Sequence, residues 1–313
     1  MSFISFMGAL EIGLIFALVA LGVLISFRIL DFPDLTADGS FPLGGAVAAV
    51  MIVAGHNPWV GCLCAALAGA ASGLLTGWLH VRLGILQLLA SILTMIALYS
   101  INLRIMGAPN VPLLGEATVF TPFLNDDNAI WMQPLVLALI VLAAKLALDW
   151  FFGTQTGLAL RATGANPRMA RAQGVPTGRL TLGGMALSNA LIALGGALYV
   201  QTQGGADISM GLGTIVIGLA AVIIGETLMP GRAIWVITLA TVAGALIYRL
   251  FIALALQADF IGLQAQDLNL VTAVLVALAL VLPQIKARFK PRARPQALAG
   301  PGGNSGNGGK AGA

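Results

Sequence analysis

Long apolar runs follow one another along the chain, separated by short clusters of Gly, Pro, Asn, Asp and Arg. Those at 9–27, 59–79, 84–105, 131–149, 181–201, 232–255 and 268–283 approach or reach the roughly 17 to 25 helical residues that a hydrocarbon core requires at 1.5 Å rise each. Two further runs, 42–55 and 210–224, are shorter, which makes nine segments. Lipid offers backbone amides no partner, and the alternation of a barrel strand is absent, so the pattern predicts an all-α polytopic membrane protein. Small residues as in LAGAASGLLTGWL (67–79) suit close helix packing in lipid.

Composition agrees. A hydrophobic fraction of 58%, only 9% charged residues and a mean hydropathy of +0.95 exclude a water-exposed globular surface and give no footprint for nucleic acid. The start, MSFISFMGALE, has no Lys or Arg and no cleavage site after it, so the first helix is expected to stay in the mature chain. Cys62 and Cys64 sit in an apolar run without nearby His or acid and read as packing residues, not metal ligands.

Charge gives orientation. Arg161, Arg168, Arg171 and Arg179 crowd the central loop, and Lys286, Arg288, Lys290, Arg292 and Arg294 open the tail. Both regions are therefore expected on the cytoplasmic side. The loop from Met106 to Ile130 carries Glu116, Asp126 and Asp127 but no Lys or Arg and belongs outside. Four segments lie between the central loop and the tail, an even number that agrees with this, and counting back places the N-terminus outside. Residues 286–313, basic and then Gly-rich, read as a disordered cytoplasmic tail near membrane lipid.

An internal echo is present. Ala37, Asp38, Ser40, Leu43 and Gly44 align without a gap to Ala206, Asp207, Ser209, Leu212 and Gly213, and each stretch leads into a short apolar segment. Five segments separate the copies, so the second would be inverted relative to the first. Such architectures place the substrate path where short helices meet, which makes Asp31, Asp34, Asp38, Ser40, Asp207 and Ser209 candidates to border it. The plainer alternative is that Asp38, Ser40, Asp207 and Ser209 are N-caps of those short helices.

In the central loop, Asn166 suits an N-cap, Pro167 a first helical position, and Gly174 before Val175-Pro176 a stop, which delimits a stub over 167–173. Arg168 and Arg171 share one face, while Met169, Ala172 and Gln173 share another. Topology alone accounts for Arg161 and Arg179, but it needs neither the cap nor the terminating glycine.

The segment GLALRATGANPRMARAQGVPTGRLTLGGMALSNALIALGGAL (157–198) resembles the cytoplasmic coupling loop and following helix of bacterial ABC importer permeases of the branched-chain amino acid and ribose type. FRILDFPDLTADGSFPLGGAVAA (27–49) resembles the stretch after their first span. The resemblance covers most of residues 8–285 and is greatest to the tryptophan/tyrosine subgroup, through DFPDLTADGSFPLGGAV. The chain departs there from the Gly-Gly-Ile-Asp-Leu-Ser type of sequence found in sugar permeases.

The resemblance implies a permease domain over 1–285, with repeat 1 at about 8–106, a linking helix 131–150, a coupling loop 151–180 and repeat 2 at about 181–283. It implies that Asn166, Pro167, Arg168, Met169, Ala170, Arg171, Ala172, Gln173 and Gly174 dock on a cytoplasmic ABC ATPase. A second permease copy and an external solute-binding protein would complete a complex in the bacterial inner membrane. An aromatic amino acid is the substrate the subgroup implies, with branched-chain amino acids or sugars as alternatives. No G-x-x-x-x-G-K-[ST] loop occurs, so the chain is not expected to be an enzyme or to bind a cofactor itself; ATP and Mg would reside on the partner.

An ion-coupled secondary transporter is the rival class. Glu11, Lys145, Asp149, Glu226 and Arg249 fall near expected span ends, where snorkelling would account for them, with Glu226 the one relay candidate. An intramembrane enzyme is poorly supported, because His56 and His80 are the only histidines and flank one span.

Overall fold

A computed structural model describes residues 3–123, 129–231 and 233–256, together with positions 274 and 277. Its helices are α1 (Phe3–Val23, continued by a π-helical turn, Leu24–Ile29), α2 (Ala37–Val53), α3 (Pro58–Leu83), α4 (Gln87–Met106), α5 (Ala129–Gly153), α6 (Gln155–Ala165), α7 (Pro167–Ala172), α8 (Thr177–Gln203), α9 (Thr214–Leu228) and α10 (Ile234–Leu256). Six are long and apolar enough to cross a membrane; α2 and α9 are shorter. The expected span 268–283, the basic tail, and Asp126 and Asp127 lie outside the described residues, apart from positions 274 and 277.

Helix ends sit where local chemistry stops them. Asn57 caps α3 by accepting from the Trp59 amide, Pro58 takes the first helical position, and Gly84, in the left-handed region, ends the helix. The α1 span is the core: 78% of its most apolar window is buried, against 28% for α4 and for α5. The outer stripe of α5, Leu135, Leu139, Leu142 and Leu146, is more than half exposed. Trp131 and Trp150, also exposed, bracket it. Their spacing is about 28 Å along a helix, close to the thickness of a hydrocarbon core flanked by aromatic residues.

Helices α2 and α8 pack at backbone distance. A Cβ on Gly44 would meet the Ala193 carbonyl oxygen at 1.9 Å, and one on Gly196 would meet that of Phe41 at 1.9 Å. This close approach is what small residues permit between helices that gain nothing from excluding water.

The two short helices run in opposite senses. Contacts of Ser40 with Ser72 and Asn189 set the start of α2 midway along α3 and α8, and from there α2 runs to the face where β1 (Asn110–Pro112) pairs antiparallel with β2 (Gly205–Asp207). Helix α9 begins at the same depth, where the Ile215 amide meets Asp38. It runs to the opposite face, where Glu226 pairs with Arg28. Their bounds differ from the expected 42–55 and 210–224. The polar residues 37–41 are absorbed into α2, whereas residues 206–213, aligned with 37–44, form strand and turn, with Gly213 at φ +81°.

Candidate translocation site

Mid-membrane polarity is concentrated where the connector 30–36 enters α2. Asp34, fully buried, accepts from the Thr36 amide (2.9 Å) and from Asn189 Nδ2 (2.8 Å). Asn189 Oδ1 in turn accepts from Ser40 Oγ at 2.7 Å, and Ser40 lies 2.8 Å from Ser72 Oγ. Thr36 and Thr76 hydroxyls meet at 2.8 Å. The network joins the two halves of the chain, and its side chains depend on one another because all of them are buried. Sequence reading identified Asp34 and Ser40 but missed Asn189, Ser72 and Thr76. The available signal was an amide at the centre of an apolar run and two hydroxyls at i, i+4 on α3.

Asp38 stands between two helix N-termini. It lies in the first turn of α2, and its Oδ1 accepts the Ile215 amide of α9 at 2.8 Å. Expected as a cap of its own helix, it instead caps the helix of the other half. Neither short helix has a side-chain cap at its own N-cap residue, Thr36 or Gly213. Asp207 and Ser209 do not cap α9 either: Asp207 Oδ1 accepts from the Ser209 amide at 2.7 Å in a local turn, because β2 and the glycine turn intervene before α9 starts.

The six candidate path residues therefore occupy three levels. Asp34, Asp38 and Ser40 converge at mid-depth, Asp207 and Ser209 lie toward the β1–β2 face, and Asp31 is exposed beside the stub. Two helix N-termini aimed at one depth concentrate free amides and positive dipole ends, an arrangement suited to an anionic group.

The stub forms as expected. Asn166 Oδ1 accepts from the Met169 amide at 3.0 Å, Pro167 opens α7, and Gly174 at φ +80° ends it. The Val175 amide donates to the Ala170 carbonyl and the Gly174 amide to that of Arg171, the paired pattern of a Schellman stop. Met169 is 63% exposed whereas Ala170 is 5% exposed, so Ala170 packs inward and Met169 leads the outward surface. Helix α6 was not anticipated. It fills residues of the expected coupling loop and abuts the end of the α1 span, where a Cβ on Gly164 would meet the Ile29 carbonyl oxygen at 1.8 Å.

Three of the five charged residues expected to snorkel, Lys145, Asp149 and Glu226, are ion-paired instead. Lys145 pairs with Asp149 at 2.6 Å, and Asp149 accepts from Thr238 at 2.6 Å, which fastens α5 to α10. Glu226 is held by Arg28 of the other half. For these three an opposite charge on the adjacent turn or helix is the partner.

The family model described as "Branched-chain amino acid transport system / permease component" matches residues 6–282. The chain is 40% identical over 279 residues to the tyrosine transport system permease protein of Clostridioides difficile, covering 89% of this chain and 91% of that one. It is 25% identical over 261 residues to the ribose import permease protein of Escherichia coli, covering 81% and 77%. It is 25% identical over 211 residues to the probable branched-chain amino acid transport permease protein of Methanocaldococcus jannaschii, covering 63% and 65%.

Proposed function

We propose a specific transport role from one premise: the chain belongs to the family of branched-chain amino acid transport system permease components, and is thus a multi-pass ABC permease and a transport subunit. It carries an amino acid, an aromatic one by its similarity to the tyrosine permease, inward across a bacterial cytoplasmic membrane. Two copies form the pore, an external binding protein delivers the solute, and cytoplasmic ATPases that hold ATP and Mg supply the energy. The tail lies in the cytoplasm.

The observation that carries the reading is the meeting of the α2 and α9 N-termini at mid-depth with Asp38 between them. Paired half-helices of opposite sense are the arrangement in which a fixed central site is exposed alternately to either face. Asp34, Asp38 and Ser40 border the path at its middle, Asp207 and Ser209 at its outer end, and Asp31 at its inner end. The stub from Asn166 to Gly174 docks on the ATPase, with Arg168, Met169, Ala172 and Gln173 offering its exposed surface, Arg171 on its flank, and Pro167 and inward-facing Ala170 fixing its pose.

Reconstitution decides between this role and an ion-coupled carrier. Tyrosine uptake into proteoliposomes is expected only with ATPase, binding protein and ATP together; uptake by the chain alone on a proton or sodium gradient would falsify the proposal.

Two substitutions test the parts. Met169→Glu changes the outward surface without disturbing the cap or Ala170, and is expected to lower uptake and uptake-coupled ATP hydrolysis about tenfold while the chain stays folded. Normal copurification and normal transport would remove α7 from the docking role. Asp38→Ala is expected to cost about 0.5–2 kcal/mol as a lost cap and to reduce uptake far more than Asp207→Ala, whose turn is exposed. Stability loss with unchanged uptake would reduce Asp38 to a structural cap.

A further inference from the structure

Beside the stub, on the face opposite the β1–β2 ladder, lies a cavity of about 500 Å³, within the usual size of a small-molecule site. It is walled by the connector before α2, the end of α3 with the start of α4, the end of α6, α7 and the start of α8. Asp31 lines it from the connector and Arg171 from α7. The backbone at Asp31 is at φ +53°, the one non-glycine residue with positive φ among the described residues. Arg171 Nε donates to the Pro167 carbonyl at 3.3 Å, and its other N–H groups make no hydrogen bond within the described residues.

Asp31 and Arg171 share this cavity, yet among the described residues neither forms an ion pair; the pairs present there are Arg28–Glu226 and Lys145–Asp149. The rest of the wall is mixed: Leu30 and Val81 are apolar, Gln87 and Thr181 are polar, and His80 stands edge-on to Phe32 at 5.4 Å. His80 is held by its Nδ1, 2.8 Å from the Ile85 carbonyl oxygen. A carboxylate and a guanidinium that line one cavity without pairing with each other match an ammonium and a carboxylate carried by one molecule.

We infer that this cavity binds an α-amino acid zwitterion from the cytoplasmic side, its carboxylate on Arg171, its ammonium on Asp31 and its side chain beside Val81. This rests on the amino-acid reading of the transporter and adds a product-side site distinct from the mid-depth one. A bound zwitterion ties α7, the docking piece, to the connector that leads into α2. Accumulated product thereby restrains the movement that import requires, and uptake slows as the cytoplasmic amino acid rises.

The test uses the full chain in lipid nanodiscs with radiolabelled L-tyrosine. Tyramine, which lacks the carboxylate, and 3-(4-hydroxyphenyl)propionate, which lacks the amine, are the competitors. Each should bind about tenfold or more weakly than tyrosine. Asp31→Asn should weaken tyrosine and tyramine but spare the propionate; Arg171→Gln should weaken tyrosine and the propionate but spare tyramine. This crossed pattern cannot arise from misfolding, which would lower all three. Absence of saturable tyrosine binding, or binding indifferent to both substitutions, overturns the inference. Uptake in proteoliposomes reports separately on the substrate: tyrosine uptake without binding at the cavity overturns the product-side site alone, and crossed binding without tyrosine uptake overturns the import reading alone.

Discussion

Asn189→Leu is expected to lower the stability of the purified chain by about 3 kcal/mol or more and to abolish uptake. Its amide both donates to Asp34 Oδ2 and accepts from Ser40 Oγ, and all three residues have no exposed surface. Leucine of similar size fills the space but strands a buried carboxyl oxygen and leaves Ser40 only the Ser72 hydroxyl as partner. An unsatisfied buried polar group costs about 1–3 kcal/mol and a charged one more. The double variant Asp34→Leu with Asn189→Leu should recover part of the loss, because removing both partners of a buried bond costs less than removing one. Reversible denaturation in detergent measures both. A loss below about 1 kcal/mol for the single variant, or a strictly additive double variant, would show that the network carries little coupling.

Gly44→Ala should be comparably damaging although it adds one methyl group. That methyl would lie 1.9 Å from the Ala193 carbonyl oxygen and 2.6 Å from its Cα, both backbone atoms that cannot rotate away. Helices α2 and α8 would have to separate, and Ser40 with them, which would open the Asp34–Asn189 network. Overpacking commonly costs about 1–3 kcal/mol and more where nothing can yield; an outcome at or beyond the upper end is expected here. Gly183→Ala on the same α8 is the control, since its Cβ would meet nothing within 4 Å. Equal thermal stability of the two variants would mean that α2 and α8 tolerate separation.

Much of this architecture is legible in the amino-acid order, for reasons that differ by element. The long spans are legible because apolar runs of that length have no other stable arrangement in lipid, and six appear as helices, five within four residues of their expected ends and the first beginning six residues early. The stub is legible because Asn166, Pro167 and Gly174 act within a single turn of their own position. What escaped depends on distant residues. The polar letters of α2's first turn read as loop, yet Asp38 is helical, and its carboxylate takes its amide partner from α9, well over a hundred residues later. Asn189 gives no local sign that Asp34 needs it. The internal echo pointed to two opposed short helices, which exist. It misjudged their start, since identical letters serve as a helical turn in one copy and as strand and turn in the other.

The Asp38–Ile215 bond has an energetic consequence for the idle transporter. Any rearrangement that parts α2 from α9 strips that amide of its acceptor, and the cost of a lost cap, about 0.5–2 kcal/mol, weights the resting population toward the joined state by about 2- to 30-fold. Such a bias favours the joined arrangement without locking it. It is also shallow enough that an anionic group offered to the same helix end offsets it, which makes the vacated amide a lever on the balance between the joined and parted arrangements.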